Sequence, residues 1–153
     1  MERRLTEEKI TKAILNWLES NNWKIICFDF PQSGTGFVLH PNNRNTDSKN
    51  KNSVIPDIVA IKDNNVVFFE NKDRFVLSDF EKIKKIKTSN DYSESISKLL
   101  SQQNYKNIYY GIGLPDNKST LKKIQKYINE VDFVIQTNGE TIKVTNQVQK
   151  IFK

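Results

Sequence analysis

The stretch PDIVAIKDNNVVFFENK, residues 56–72, contains two apolar runs separated by a short polar segment. Residues 55–61 and 66–71 are rich in β-branched and aromatic side chains, a composition typical of β-strands. The polar residues between them, with Asp63 and Asn64 near the centre, favour a tight turn that reverses the chain. We therefore predict a β-hairpin here.

A two-residue turn allows two registers for this hairpin. If residues 63–64 form the turn, Asp57 lies opposite Glu70, and if residues 64–65 form it, Asp57 lies opposite Lys72. Residues two apart on a strand point to the same face, so Glu70 and Lys72 share a face. Either register therefore gathers two carboxylates and one ammonium group. A three-residue turn would instead place Asp57 opposite Asn71, on the other face from Glu70 and Lys72, and no cluster would form.

This cluster has the composition of a metal site for phosphate chemistry. Four apolar residues, 66–69, lead the strand into the core, where ionised groups are unfavourable unless they are paired or bound to a metal. Two neighbouring carboxylates repel each other, and a divalent cation bound by both removes that repulsion. Lys72 beside them can orient or deprotonate a water molecule that attacks phosphorus. The backbone carbonyl of Asn71 is a further candidate oxygen ligand.

The alternative interpretation is structural. Glu70 and Lys72 would then form a surface ion pair, and Asp57 would cap a turn after Pro56. The apolar strands on both sides of the cluster favour the metal site over this alternative.

The rest of the chain alternates between helical and strand patterns. Residues 5–20 carry apolar side chains at helical spacing, with Thr6 as the N-cap and Asn21-Asn22 at the end. Further strands are predicted at 23–30, 106–114 and 131–136, with shorter ones at 37–39 and 141–144; further helices are predicted at 77–103, broken near Ser89-Asn90, at 119–129 and at the C-terminus. This order predicts one α/β domain over residues 1–153, with a central mixed sheet of four to five strands flanked by helices.

Composition narrows the classes of partner and location. A formal net charge of +6 is compatible with a polyanionic partner such as nucleic acid. The apolar runs are too short to cross a bilayer and the N-terminus lacks the features of a signal peptide, so we expect a cytoplasmic protein without a membrane partner. The single cysteine, Cys27, excludes an internal disulfide, and the single histidine, His40, has no cysteine or second histidine with which to bind zinc.

The hairpin motif resembles that of a nuclease superfamily. Pro56-Asp57, twelve intervening residues and then Glu70-Asn71-Lys72 are similar to the PD-(D/E)xK motif, which occurs in most type II restriction endonucleases and in archaeal Holliday-junction resolvases. The resemblance covers roughly residues 5–88, including the preceding helix and strand and the following helix. It implies a restriction-endonuclease-like core, Mg²⁺ bound by Asp57 and Glu70 with Mn²⁺ able to substitute, and Lys72 acting on the attacking water.

Two further residues are candidates for the same site. Members of the superfamily often carry an acidic residue on the first helix, and Glu7 lies closer to the apolar face of that helix than Glu8 does. Glu7 is therefore either a fourth catalytic residue or a favourable first-turn charge. Ser33 lies in the segment 32–36, which is similar to the serine-glycine segment of resolvases, where the backbone approaches a phosphate. The alternative for this segment is a plain glycine-rich turn.

Basic side chains near the motif are candidates for contact with DNA. Six are singled out: Arg44, Lys49 and Lys51 in the polar loop, and Arg74, Lys82 and Lys85 after the motif. Such side chains contact phosphates or base edges. The alternatives are an ordinary surface loop at 40–53, an ion pair between Arg74 and an acid, and a solvated face for the helix lysines.

These observations predict a Mg²⁺-dependent DNA endonuclease, with a small type II restriction endonuclease as the first interpretation. A structure-specific nuclease similar to Holliday-junction resolvases is the near alternative. A non-catalytic nucleic-acid-binding domain on the same fold is the alternative from another class. Because one chain holds one site, cleavage of both strands requires two chains, and we expect a homodimer.

Overall fold

The computed structural model describes residues 5–29, 36–40 and 53–152. In these ranges the elements follow one another as α1 (Glu7–Ser20), β1 (Lys24–Phe28), β2 (Ile58–Lys62), β3 (Asn65–Asn71), α2 (Leu77–Ser89), α3 (Ser93–Leu99), β4 (Asn107–Pro115), α4 (Lys118–Ile124), β5 (Phe133–Thr137) and β6 (Ile142–Gln147), with a 3₁₀ turn at Ile128–Glu130 before β5.

The six strands form one mixed sheet in the order β1-β2-β3-β4-β5-β6. Strand β2 is antiparallel to its neighbours β1 and β3. Strands β3, β4 and β5 run parallel, and β6 is antiparallel to β5. Parallel neighbours need crossover connections, which α2 and α3 provide between β3 and β4 and α4 provides between β4 and β5. The predicted α/β class, with helices flanking a mixed sheet, is confirmed.

The predicted hairpin consists of β2 and β3. Lys62 pairs with Asn65 at the turn, and Ile58 pairs with Phe69 at the other end. The two turn residues have positive φ angles, 50° at Asp63 and 71° at Asn64, as a type I′ turn requires. This is the first of the two predicted registers, the one that directs Asp57 towards Glu70.

Helix α1 covers one face of the sheet. Thr6 Oγ1 accepts a hydrogen bond from Lys9 N at 3.2 Å and Asn21 is the C-cap, so both predicted ends are confirmed. The buried apolar side chains of α1 pack on an aromatic cluster in which the rings of Phe69 and Phe133 lie 4.8 Å apart. This packing holds the first turn of α1 beside the end of β3.

Helices α2 and α3 cover the opposite face. Phe80, Ile83 and Ile86 of α2 belong to the core cluster that includes Phe68 of β3. Asn90, with φ 58°, ends α2, which confirms the predicted break. Because side chains alternate along a strand, even-numbered residues of β3 point towards α2 and odd-numbered residues towards α1.

The sequence prediction was wrong at the C-terminal end of the fold. The strand predicted at 141–144 is confirmed as β6, but the sheet has six strands rather than four to five, because β6 pairs along β5 as far as Gln147. Residues 148–152 form turns and bends instead of the expected helix. Gln147 explains this, because its side chain bonds both the N–H of Phe152, at 2.9 Å, and the carbonyl of Phe152, at 3.3 Å. The helix predicted at 119–129 is also shorter, ending at Ile124.

No helix within the described ranges combines the length and apolar character that crossing a bilayer requires.

Replacement of Asn64 by valine tests the turn. A β-branched residue is strained at positive φ, so we expect Asn64→Val to lower the free energy of unfolding by roughly 1–2 kcal/mol. Urea denaturation measures this change. Asn64→Gly is the matched control, because it removes the same side chain but accommodates the φ angle, and its stability should stay within about 0.5 kcal/mol of the parent. An equal loss in both variants would contradict the type I′ turn.

Candidate active site

The hairpin brings Asp57 and Glu70 together. Asp57 precedes β2 and is still held against β3, because its N–H donates to Phe69 O at 2.9 Å. Asp57 Oδ2 accepts a hydrogen bond from Asn71 N at 2.6 Å. The two carboxyls are close enough to interact, because the Glu70 carboxylate raises the pKa of Asp57. Burial raises the pKa of Asp57 by more. The pairing that the sequence predicted is therefore present.

Glu70 is buried at the end of β3 and is paired with a lysine of the following helix. Its side chain is only about 8% exposed, and its Oε1 lies 3.1 Å from Nζ of Lys82. This contact follows from the direction of even-numbered side chains in β3, which face α2. Lys82 was a candidate for contact with DNA, and the structure instead places its ammonium inside the carboxylate cluster.

Lys72 joins the cluster from the residue after β3. Its backbone N–H donates to Gly113 O at 3.0 Å, which continues the pairing of β3 with β4. Its Nζ lies 3.3 Å from Oε1 of Glu7 in the first turn of α1. The packing of α1 thus brings Glu7 to the motif, as the helical spacing predicted, whereas Glu8 pairs with Lys12 at 3.6 Å.

Asp79, in the first turn of α2, is a member of the cluster that the sequence analysis missed. It is buried, with 6% exposure, and its Oδ2 has no hydrogen-bond partner among the described residues. A signal was available, because Asp79 stands four residues before Ile83 and seven before Ile86, on the apolar face of the helix. A carboxylate on such a face is a candidate for a buried polar site.

Burial dominates the ionisation of these carboxyls. Burial and then the Glu70 carboxylate raise the pKa of Asp57 from 3.8 to about 8. Burial also raises the pKa of Glu70 and that of Asp79, although Lys82 opposes the rise in both. Burial lowers the pKa of Lys72, but Asp79, Glu7 and Glu70 outweigh that effect and its pKa is raised. The cluster therefore carries more carboxyls than its two ammonium groups neutralise.

The side chain of Asn71 points away from this cluster, as the alternation of the strand predicted. It is buried on the α1 side, where Nδ2 donates to Thr11 Oγ1 at 3.1 Å. Gly113 makes room for it, since a Cβ on Gly113 would stand 2.4 Å from Asn71 Oδ1. The role of Asn71 in the cluster is therefore confined to its backbone, and its N–H already serves Asp57.

A cleft of about 710 Å³ opens at the C-terminal ends of β3, β4 and β5. It is lined by none of the charged side chains of the cluster, but its lining includes Asp73, the residue after Lys72. Its lining includes Arg74 and Phe75 from the segment after the motif, Lys123 from α4 and Thr137 from β5. The Arg74 side chain is about 65% exposed and its Nη1 lies 3.0 Å from Asp73 Oδ1. Both interpretations of Arg74 are compatible with this position, since a guanidinium paired with a neighbouring acid remains accessible from the cleft.

The other sequence candidates lie away from the cluster or outside the described residues. Lys85 is exposed on α2, one turn beyond Lys82. Ser33, Arg44, Lys49 and Lys51 lie outside the described ranges.

The carboxylate oxygens of the cluster are potential ligands for a divalent metal ion. Among residues 5–29, 36–40 and 53–152, no three His, Cys, Asp or Glu side chains are placed to hold a metal ion as a group. Mg²⁺ does not require such a set, because it keeps several waters and is usually held by one or two carboxylates together with substrate phosphates. Asp57 and Glu70 meet that requirement.

Comparisons of this chain with known proteins found no matching family model, no matching curated protein and no matching solved structure.

Replacement of Asp57 by asparagine tests the electrostatic cost of the cluster. The folded-state pKa of Asp57, about 8, lies above its ordinary value of 3.8, so its contribution to stability is complete below pH 4 and is lost as the pH rises through 8. We expect metal-free Asp57→Asn to be more stable than the parent at pH 8.5 by at least about 1.4 kcal/mol, the equivalent of one pKa unit. Urea denaturation between pH 5 and 8.5 measures the difference.

The exposed Asp91, which follows α2, provides the control for this experiment. Asp91→Asn should keep the pH dependence of the parent protein. If Asp57→Asn is no more stable than the parent at pH 8.5, it is incorrect that burial and repulsion destabilise the ionised form of Asp57.

Proposed function

We propose that this chain is a Mg²⁺-dependent endonuclease that hydrolyses DNA phosphodiester bonds and leaves 5′-phosphate and 3′-hydroxyl ends. The observation that carries the proposal is the nearness of Asp57 and Glu70 at the end of the hairpin, with Lys72 two residues after Glu70. Two carboxylates with raised pKa values at the buried end of a strand are destabilising. A divalent cation bound by both carboxylates would remove the repulsion between them and make them part of a catalytic site.

The order of elements supports the same proposal. Helix α1, strand β1, the β2–β3 hairpin and helix α2 follow one another as the resemblance to PD-(D/E)xK nucleases implies. We include the restriction-endonuclease-like core in the proposal on this basis.

Each residue of the cluster has a distinct role in this proposal. Asp57 and Glu70 would hold the cation through carboxylate oxygens, and the Asn71 carbonyl is a candidate third ligand. When bound, Mg²⁺ supplies positive charge to the scissile phosphate and favours an attacking hydroxide. Glu7, at 3.3 Å from the Lys72 ammonium, holds that side chain in position.

The ionisation of Lys72 favours one of its two proposed roles. Its raised pKa keeps it protonated at neutral pH, so in the metal-free protein it has protons to donate and no lone pair with which to accept one. Lys72 would therefore orient water or contact a phosphate oxygen as a donor.

The cleft beside the cluster is our candidate for the path of the DNA strand. Arg74 follows the motif by two residues, so a phosphate bound by Arg74 would lie close to the scissile bond. Lys123 on α4 is exposed on the cleft lining and could contact a further phosphate. A net charge of +6 favours the association of the chain with a polyanion.

Within this class we retain a small type II restriction endonuclease as the first interpretation, acting as a homodimer. A Holliday-junction resolvase-like nuclease is the alternative, and its supporting segment around Ser33 lies outside the described residues. Cleavage of a plain duplex at one defined sequence would favour restriction, whereas selective cleavage of four-way junctions would favour resolution.

One observation favours a different class, a nucleic-acid-binding domain without catalysis. The contact of Lys82 with Glu70, at 3.1 Å, satisfies a buried carboxylate without any metal. Tight DNA binding by the purified protein, with no cleavage in Mg²⁺ or Mn²⁺, would establish that function.

Variants of the cluster test the nuclease proposal. We expect Asp57→Asn, Glu70→Gln and Lys72→Met each to lower the rate of Mg²⁺-dependent DNA cleavage by about 100-fold or more, because each removes charge from the reacting centre. Glu7→Gln should lower it by a smaller factor, about tenfold, because it acts through Lys72. Glu8→Gln is the matched control on the other side of α1 and should cleave as the parent does. Undiminished cleavage by Asp57→Asn would refute the proposed site.

Charge reversal in the cleft tests the path of the DNA. Arg74→Glu and Lys123→Glu should each weaken duplex binding by about tenfold and reduce the dependence of log Kd on log salt by about one. Fluorescence anisotropy over a salt series measures both quantities. Lys143→Glu, an exposed position on β6, changes the net charge equally and should have a smaller effect. Equal losses in all three variants would show that net charge, and not the cleft, determines binding.

A further inference from the structure

The position of Lys82 is unusual for a surface helix residue. Its backbone belongs to α2, but its ammonium reaches the buried carboxylate of Glu70 at 3.1 Å, while about a third of the side chain remains exposed. A long, flexible stem that starts at the surface allows an ammonium group to enter and leave such a site without movement of the backbone.

Lys82 also affects the other carboxyls of the cluster. Burial raises the pKa of Asp57, of Glu70 and of Asp79, and in each of the three the Lys82 ammonium acts in the opposite direction. One positive charge is thus close enough to influence three carboxyls, which come from the residue before β2, from β3 and from α2. A divalent cation shared by Asp57 and Glu70 would need a similar position.

Asp79 supplies an independent observation. Its Oδ2 is buried and has no hydrogen-bond partner among the described residues, and the side chain is 6% exposed. A buried oxygen without a partner costs free energy. Asp79 lies three residues before Lys82 on α2, about one helical turn away, and the ammonium groups of Lys72 and Lys82 both act to lower its pKa. This carboxyl therefore lies near the cluster.

We propose that Lys82 is a displaceable counter-ion, whose ammonium occupies the position that the divalent cation takes between Asp57 and Glu70, and that Asp79 is a nearby carboxylate that attracts the cation without being its ligand. This inference rests on the proposed metal-dependent function and extends it. In the metal-free protein Lys82 reduces the repulsion among Asp57, Glu70 and Asp79. Binding of the cation requires that the Lys82 side chain withdraw, so the ion pair lowers the apparent affinity for metal.

Metal binding to the DNA-free protein tests this inference without any measurement of cleavage. The probe is Mg²⁺, titrated calorimetrically at pH 9, above the pKa of about 8 of Asp57, so that protons compete little for the carboxylates. If the ion pair leaves about a tenth of the molecules ready to bind metal, Lys82→Met should bind Mg²⁺ about tenfold more tightly than the parent. Lys82→Arg, which retains the charge, should remain close to the parent.

Two controls separate displacement from general electrostatics. Lys85→Met removes an exposed charge from the same helix and should leave the affinity for Mg²⁺ unchanged. Lys72→Met removes an ammonium that lies in the cluster but contacts Glu7 at 3.3 Å rather than Glu70, and its gain in affinity should be less than threefold. An equal gain in Lys72→Met and Lys82→Met would overturn the displacement, because nearby charge alone would then explain both.

Asp79→Asn tests the second half of the inference. It should weaken Mg²⁺ binding about tenfold at pH 9, and unchanged affinity would remove Asp79 from the site. Urea denaturation of each variant shows that it is folded before titration.

Failure of this inference is distinguishable from failure of the proposed function. If Asp57→Asn abolishes Mg²⁺ binding while Lys82→Met binds Mg²⁺ no more tightly than the parent, the displacement is wrong and the metal site stands. If neither the parent nor Lys82→Met binds Mg²⁺, both the displacement and the proposed metal site are wrong.

Discussion

The two-residue turn at Asp63 and Asn64 sets the register of β2 against β3, and the positions of the candidate catalytic groups depend on that register. A shift of one residue would send Asp57 to the opposite face of the sheet from Glu70 and Lys72. The turn can form only because both of its residues accept positive φ. A local conformational preference at the solvent end of the hairpin therefore determines the chemistry at its buried end.

The same hairpin concentrates a large electrostatic cost. Burial and repulsion from Glu70 raise the pKa of Asp57 to about 8, and burial and repulsion from Asp79 raise the pKa of Glu70. The fold is therefore less stable at alkaline pH than one with neutral groups there would be. Proteins keep such arrangements where function needs them, because stability and activity draw on the same residues. The ion pairs of Lys72 and Lys82 reduce this cost without eliminating it, since Asp79 retains a buried oxygen without a partner among the described residues.

Elements on both faces of the sheet complete the cluster. Helix α1 contributes Glu7 from one face, because its apolar residues pack on the aromatic cluster around Phe69. Helix α2 contributes Asp79 and Lys82 from the other face, because it packs over the even-numbered side chains of β3. The parallel strands β4 and β5 then place the cleft at the same end of the sheet, where ligands commonly bind in open α/β sheets. Packing of ordinary apolar residues thus brings together charged groups from separate segments.

The amino-acid sequence by itself determined the hairpin, its two possible registers and the nearness of Glu7 to the motif. These features depend on local preferences, namely the strand period, the turn residues and the helical spacing, which act over a few residues. Only the tertiary structure decided that Asp79 and Lys82 belong to the cluster, that six strands join one sheet and that the chain after Gln147 is not helical. The physical reason is that these outcomes depend on contacts between segments far apart in the chain: α2 against β3, β6 against β5, and Phe152 against the aromatic core. A local pattern of residues does not specify which distant segment will contact Lys82 or pair with β6.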